Sequence, residues 1–350
     1  SRVLRELFDS GIMNRFIQTA QVVDSRFVDD DDLTSLLTHE HPEFKNFLQH
    51  KLISPILYPM EWSISMLADA GTLTLDLQME LLQQGYSLKD ATAYNIQFVD
   101  GRPIFIDLPS IERPSRFDVW YALGQFGQMF TFPLLLTRHH GWDLRSYFLG
   151  ELGGRNLLQV TSSLGRFSKL LPRNLLDITI PVFLHGRFDQ SKSSGEDRKQ
   201  RQNTADSQLI NLKRIRKKIR NLADGYRPRS NWTGYASQCN YDQQAIDEKN
   251  KLVARFLSMI KPQRVLDIGC NTGDFSYLAA ELGSETIAAD QDHDVVEVLY
   301  RRLKSNPSKI TPIVLDLCNP TPPVGFMNRE RVGFLSRIEV DCVLALALVH

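Results

Sequence analysis

Only four cysteines occur in the 350 residues, Cys239, Cys270, Cys318 and Cys342, and none forms a C-x-x-C pair or stands at finger spacing from a histidine. Such scatter excludes a disulfide framework and a thiolate zinc site, and it suits reduced thiols in a cytoplasmic setting. Long apolar runs are missing too. Phe130 to Leu136 and Cys342 to Val349 are the longest, far short of the ~20 residues a spanning helix needs, so no membrane insertion is expected. The N-terminus lacks the basic, apolar, small-residue order of a secretory leader, which leaves the sequon Asn231-Trp232-Thr233 chemically idle. Net charge is absent as well, with 41 Lys and Arg against 41 Asp and Glu, so only a local basic patch could serve a nucleic acid. His39, Glu40 and His41 stand in a polar stretch without further ligands, and no metal site is expected.

What is present suits about two domains, and 42% hydrophobic residues suffice for sizeable cores. The chain opens at Ser1 and closes inside the apolar run Leu344 to His350, which reads as truncation at both ends. Residues 1–187 form an α-rich region. Leu67, Leu73, Leu77, Leu81 and Leu82 recur at helical spacing before Gly85, and Ile96 to Phe98, Asp100-Gly101 and Ile104 to Ile106 read as a hairpin. After Pro114, the spacing of Trp120, Leu123, Phe126 and Phe130 predicts a core helix that includes Asp118 to Gly124. Asp29 to Asp32 reads as an exposed acidic loop.

Residues 188–228 read as a polar and basic linker with an amphipathic helix. Six of the eight residues from Lys213 to Arg220 are Lys or Arg, while Leu212, Ile215, Ile219 and Leu222 fall on one helical face. A helix with solvated charges is the plain reading, and RNA or acidic-membrane contact is the alternative. From 229 to 350 the pattern alternates. Arg264 to Ile268, Glu285 to Ala289, Ile310 to Leu315 and Asp341 to Leu346 read as strands, separated by helical stretches at Phe275 to Leu282 and Val295 to Leu303. That order predicts an α/β fold with a parallel, doubly wound sheet.

The clearest chemistry lies at the end of the first of these strands, where Asp267-Ile268-Gly269-Cys270-Asn271-Thr272-Gly273 reads D-x-G-x-x-x-G. Gly269 permits a tight turn, and Gly273 clears space where the loop passes a ligand and enters the helix. Seventeen residues beyond Gly273, Asp290 ends the next strand with an acid able to chelate ribose hydroxyls. A dinucleotide fingerprint would need glycine where this chain has Asn271, so a pyrophosphate cradle is disfavoured. Cys270 has no basic residue or His close in sequence to depress its pKa, which argues against a nucleophile.

Val265 to Gly273, Asp290, Asp316 and the strand that begins at Asp341 resemble the ordered motifs of class I S-adenosylmethionine-dependent methyltransferases. The resemblance implies a Rossmann-like sheet, here truncated after its fourth strand, and S-adenosyl-L-methionine as cofactor. It implies that Asp267 with Gly269, Asn271 and Gly273 holds the methionine end, Asp290 and Gln291 the ribose, Asp316 and Leu317 the adenine, and that backbone around Ala345 lines the sulfonium. Methyl transfer by in-line displacement asks mainly for alignment, which can account for roughly 7–11 kcal/mol of barrier lowering. His350 is the one candidate base for an oxygen acceptor.

The N-terminal half carries a second pattern. Asp90-x-x-x-x-Asn95, a hairpin, then Ile106-Asp107 resembles the catalytic segment of protein-kinase-like folds, which implies that Asp90 would take a hydroxyl proton while Asn95 and Asp107 hold Mg²⁺. Leu88 stands where the kinase pattern has His, and Leu108-Pro109 replaces its Gly. Taken with Tyr58 to Ser63 and Ser87 to Phe98, the whole arrangement resembles a two-domain family of bacterial-type methyltransferases that includes nodulation-protein-like members. The expectation is therefore a cytoplasmic methyltransferase whose acceptor is a small molecule, a hydroxyl or sugar compound by resemblance. The alternatives are ATP-dependent phosphotransfer through Asp90, Asn95 and Asp107, or a non-catalytic scaffold that binds RNA through its basic helix.

Overall fold

A computed structural model of the chain describes residues 2–44, 46–165, 198–234, 243–346 and 348. The N-terminal part is largely helical. It opens with α1 (Arg2–Asp9) and α2 (Ile12–Gln18), then pairs β1 (Ser25–Phe27) with β2 (Leu48–His50) around α3 (Asp31–Glu40). Asp30, expected in an exposed acidic loop, instead caps α3 by accepting from the Leu33 amide at 2.8 Å. Helix α4 (Ile64–Gln83) is the spine of this part and is buried on nearly all sides, from Ile64 to Leu82. Its leucines at helical spacing reach neighbours all round.

After α4 come β3 (Ser87–Leu88), β4 (Ile96–Val99), β5 (Arg102–Phe105) and β6 (Ile111–Glu112), with β4 and β5 forming the predicted hairpin about Asp100 and Gly101, both at positive φ. Asp118 to Ala122 is not helical, contrary to the core helix expected there. Trp120 turns inward and donates its indole N–H to the Leu88 carbonyl at 2.8 Å, and α5 (Leu123–Phe126) begins only afterwards. A π-helical turn at Gly127–Thr131 leads into α6 (Phe132–His140), followed by α7 (Leu144–Gly150) and α8 (Leu157–Ser163).

The described part of the expected linker is α9 (Arg198–Asp224), and its apolar stripe is not loose. Leu212, Ile215, Ile219 and Leu222 are all buried in the same core as α4. A Cβ on Gly71 would lie 3.0 Å from Phe130 and 3.1 Å from Ile219, so α4 and α9 cross closely there. Arg216 pairs with Asp76 at 2.6 Å, whereas Lys213, Lys217 and Arg220 point outward.

In the C-terminal part, α10 (Gln243–Ile260) precedes β7 (Arg264–Ile268), α11 (Asp274–Glu281), β8 (Glu285–Asp290), α12 (His293–Ser305), β9 (Ile310–Val314), α13 (Phe334–Arg337) and β10 (Cys342–Leu344). The four strands form one parallel sheet in the order β10-β7-β8-β9. Alternation along each strand separates its faces. Val265, Asp267, Ala288, Val314, Cys342 and Leu344 meet α10, α11 and α12. Leu266, Ile287, Ala289, Ile313 and Leu315 join the N-terminal core instead.

The second face of the sheet is thus covered by the N-terminal part, and the seam is polar as well as apolar. Glu61, fully buried, pairs with Arg337, whose guanidinium also donates to the Ile56 carbonyl and stacks on Tyr58. Buried Glu297 on α12 accepts from the Ser65 amide at 3.0 Å and from the Arg301 guanidinium at 2.6 Å. Tyr300 donates to Asp69 at 2.8 Å, and Lys304 pairs with the same carboxylate. No helix among the described residues is long and apolar enough to cross a membrane.

Candidate active site at the carboxyl ends of the strands

At the carboxyl end of β7 the chain must turn sharply into α11, and it does so through left-handed backbone at Gly269 (φ 67°), Asn271 (φ 51°) and Gly273 (φ 87°). A Cβ on Gly273 would stand 2.5 Å from the buried Leu299 side chain of α12, so that position needs both the conformation and the space. Asn271 tolerates positive φ because its side-chain oxygen accepts from the Thr272 amide at 2.7 Å. The loop is tied to β8 from beneath, since the Gly269 and Cys270 amides both donate to the Ala289 carbonyl.

Two carboxylates flank this loop. Asp267, 2% exposed, accepts from the Ser276 hydroxyl at 2.6 Å, which joins β7 to α11. Burial pushes its carboxyl up to about 6, helped by the charge of Asp290 and opposed by the Ser276 hydrogen bond. Asp290 accepts the Asn271 amide at 3.0 Å and the Asp292 amide at 2.9 Å. Burial raises its carboxyl as well, against the pull of those amides. The sequence pattern therefore brings Asp267, Gly269, Asn271, Gly273 and Asp290 into one place with an electronegative character.

The remaining residues lie at neighbouring strand ends with more exposure. Gln291 is exposed just past β8. Asp316, two residues beyond β9, accepts from the Cys318 amide at 2.9 Å, and Leu317 beside it is exposed. Ala345 is exposed directly after β10. His350, named above as a candidate base, lies outside the described residues, as do Cys239 and the polar stretch from 188 to 197. Burial holds the Cys270 thiol well above its ordinary value, with Asp267 and Asp290 adding to the effect, so its thiolate is strongly disfavoured.

Sequence reading missed the acids that follow Asp290. Asp292 caps α12, and Asp294 accepts from the Tyr226 hydroxyl at 2.7 Å and from the Arg229 and Ser230 amides at 2.7 and 3.0 Å. The alternation Asp290, Asp292, Asp294 ahead of a helix was a readable signal, but their partners lie more than sixty residues earlier in the chain.

The second candidate cluster also assembles. Asn95 donates its amide to Asp107 at 3.0 Å, and the Asp107 carboxyl is raised by burial and by the nearby charge of Asp90. Two cavities of about 670 and 480 Å³ share Arg264, Glu285, Lys309 and Glu339 at the amino ends of β7, β8 and β9. Ligands of open parallel sheets bind at the opposite, carboxyl ends, where the glycine loop stands, so chemistry outweighs cavity volume in locating the site.

No family model and no solved structure matches the chain. Over 363 residues it is 36% identical to the nodulation protein NoeA of Rhizobium meliloti (strain 1021), an alignment that spans all of this chain and 71% of that protein. The chain belongs to the NoeA family. For the NoeA family, the parallel four-stranded sheet now gives the glycine loop a structural setting, and the helical N-terminal part supplies the other wall of that sheet.

Proposed function

We propose that this NoeA-family chain binds S-adenosyl-L-methionine at the glycine loop and acts as a methyltransferase in a nodulation-related modification. The observation that carries the reading is the pair of carboxylates, Asp267 and Asp290, both raised by burial, with the charge of Asp290 adding to the rise at Asp267, at the carboxyl ends of adjacent parallel strands. Such a site favours a ligand that brings positive charge and hydroxyl donors, and it disfavours pyrophosphate. A nucleoside with an amino-acid tail meets both conditions.

Asp267, braced by Ser276, would accept from the ligand's ammonium group, and Asp290 would accept from ribose hydroxyls with the lone pairs that the loop amides leave open. Asp316 and Leu317 would border the base, and the backbone at Ala345 the reacting end. Bound there, the cofactor would supply an already activated methyl group, so alignment is the protein's main contribution. The acceptor belongs to the small-molecule class, a hydroxyl or sugar compound.

Titration of S-adenosylhomocysteine into the chain and into Asp290→Ala, with both folds checked by circular dichroism, tests this reading. Loss of charged hydrogen bonds of ~1.5–3 kcal/mol is expected to weaken binding roughly 10- to 150-fold. A folded chain without measurable binding would end the cofactor assignment.

A second reading, ATP-dependent phosphotransfer, draws on the Asn95–Asp107 contact and the charge of Asp90 beside it. It is the weaker of the two because Leu88 and Leu108-Pro109 stand where that pattern has His and Gly.

A further inference from the structure

The glycine loop is held from outside as well as from beneath. Where α9 ends, the backbone passes alongside α12, whose Arg301, in the second half of that helix, donates to the Ala223 and Tyr226 carbonyls at 3.0 and 3.2 Å. Asp294 then gathers the Tyr226 hydroxyl and the Arg229 and Ser230 amides. With three donors on one carboxylate and the ring of His293 close by, its carboxyl lies far below the ordinary value despite partial burial.

From that anchor a closed ring of hydrogen bonds returns to the site. The Ser230 hydroxyl donates to Asp292, the Trp232 amide donates to the Ser230 hydroxyl at 3.1 Å, and the Asn271 side-chain amide donates to the Trp232 carbonyl at 3.0 Å. Asn271 and Asp292 in turn donate their backbone amides to the two oxygens of Asp290. Every link joins a residue of 230–232, of the loop, or of the turn after β8, so the left-handed position at Asn271 is fixed from two sides. Trp232 is 57% exposed next to this loop, a large apolar surface that a bound ligand would cover.

We propose that residues 226–232 form the outer wall of the glycine-loop site, and that Asp294 is the positioning residue that holds this wall and, through Asn271, the loop itself. Its consequence for nucleoside binding rests on the function proposed above, whereas the coupling between wall and loop does not. Because Arg301 also pairs with Glu297, which accepts from Ser65 of α4, the wall is anchored to the N-terminal part as well. A ligand at the loop therefore meets an arrangement set jointly by both halves of the chain.

Amide hydrogen exchange on the full chain, alone and with S-adenosylhomocysteine, tests this with Asp294→Ala and Asp294→Asn. Alanine removes all three acceptor contacts, and exchange at 228–232 and at 269–273 is expected to rise about tenfold or more together, with ligand affinity falling by a similar factor. Asparagine keeps an oxygen for the two amides and a polar partner for Tyr226, and it is expected to restore most of the protection, which a general loss of packing would not. Protection at 269–273 that stays at the wild-type level in Asp294→Ala while 228–232 opens would overturn the proposal. Loss of protection at both segments in a protein that never binds S-adenosylhomocysteine would keep the coupling and remove the cofactor reading. Should Asp294→Ala fail to fold, Ser230→Ala, which deletes the hydroxyl link between Asp292 and the Trp232 amide, is read by the same criterion.

Discussion

Both halves of the chain place a half-buried, raised carboxylate next to an asparagine, yet the two sites are built differently. At Asp107 the neighbouring asparagine gives its side-chain amide to one oxygen of the acid, within one local segment. At Asp290 the neighbouring asparagine gives its backbone amide and turns its side chain outward to Trp232. The first contact stays within one local segment. The second engages both carboxylate oxygens with backbone amides and recruits distant residues to hold the loop still, which is what pre-organisation of a binding site requires.

The largest expected effect concerns whether the two sites share one folded body. Arg337→Ala leaves the Glu61 carboxylate buried at the seam without its partner and is expected to cost roughly 3–5 kcal/mol in thermal or denaturant unfolding. One cooperative transition should shift as a whole; a first transition confined to the sheet would separate the sites and weaken the comparison.

A smaller, sign-specific effect follows from Asp267. An acid whose folded pKa is raised binds its proton more tightly in the folded chain than in the unfolded one. Its contribution to stability therefore falls as pH rises from the ordinary 3.8 to about 6. Affinity for a cationic ligand runs the other way, level above about 6 and falling roughly tenfold per pH unit below it, because the ligand needs the ionised form. Calorimetric titration of S-adenosylhomocysteine across that interval checks the slope. Asp267→Asn should flatten it, and an unchanged slope in that variant would take Asp267 out of the site.

The smallest expected effect is at the other cluster. Asp107→Ala should leave S-adenosylhomocysteine affinity within about twofold, since distant independent sites couple weakly. Mg-ATP binding present in the wild type and abolished in this variant would instead raise the phosphotransfer reading.

Much of the sheet was legible in advance. The strands at Arg264, Glu285 and Ile310 and the helices between them lie within a few residues of where periodicity put them, and the turn between β4 and β5 follows from Asp100-Gly101. The loop glycines were legible for a local reason: a strand that turns at once into a helix needs left-handed backbone. The non-helical stretch at Asp118 to Ala122 was not, because the indole of Trp120 answers to a carbonyl at Leu88 that no local pattern announces.

By itself, then, the sequence determined the local features: the alternation that makes a parallel sheet, the glycine loop after its first strand, the acid after its second, and the apolar stripe on α9. Those depend on spacing within a few residues, where backbone geometry and side-chain period act directly. Only the tertiary structure decided what covers the second face of the sheet and what holds the loop from outside. Glu61 finds Arg337 and Ser65 finds Glu297 across more than two hundred residues, and Asp294 finds Arg229 across sixty-five. Such partners are chosen by the burial of polar groups that must be satisfied once the chain has collapsed, a condition that no short stretch of sequence carries.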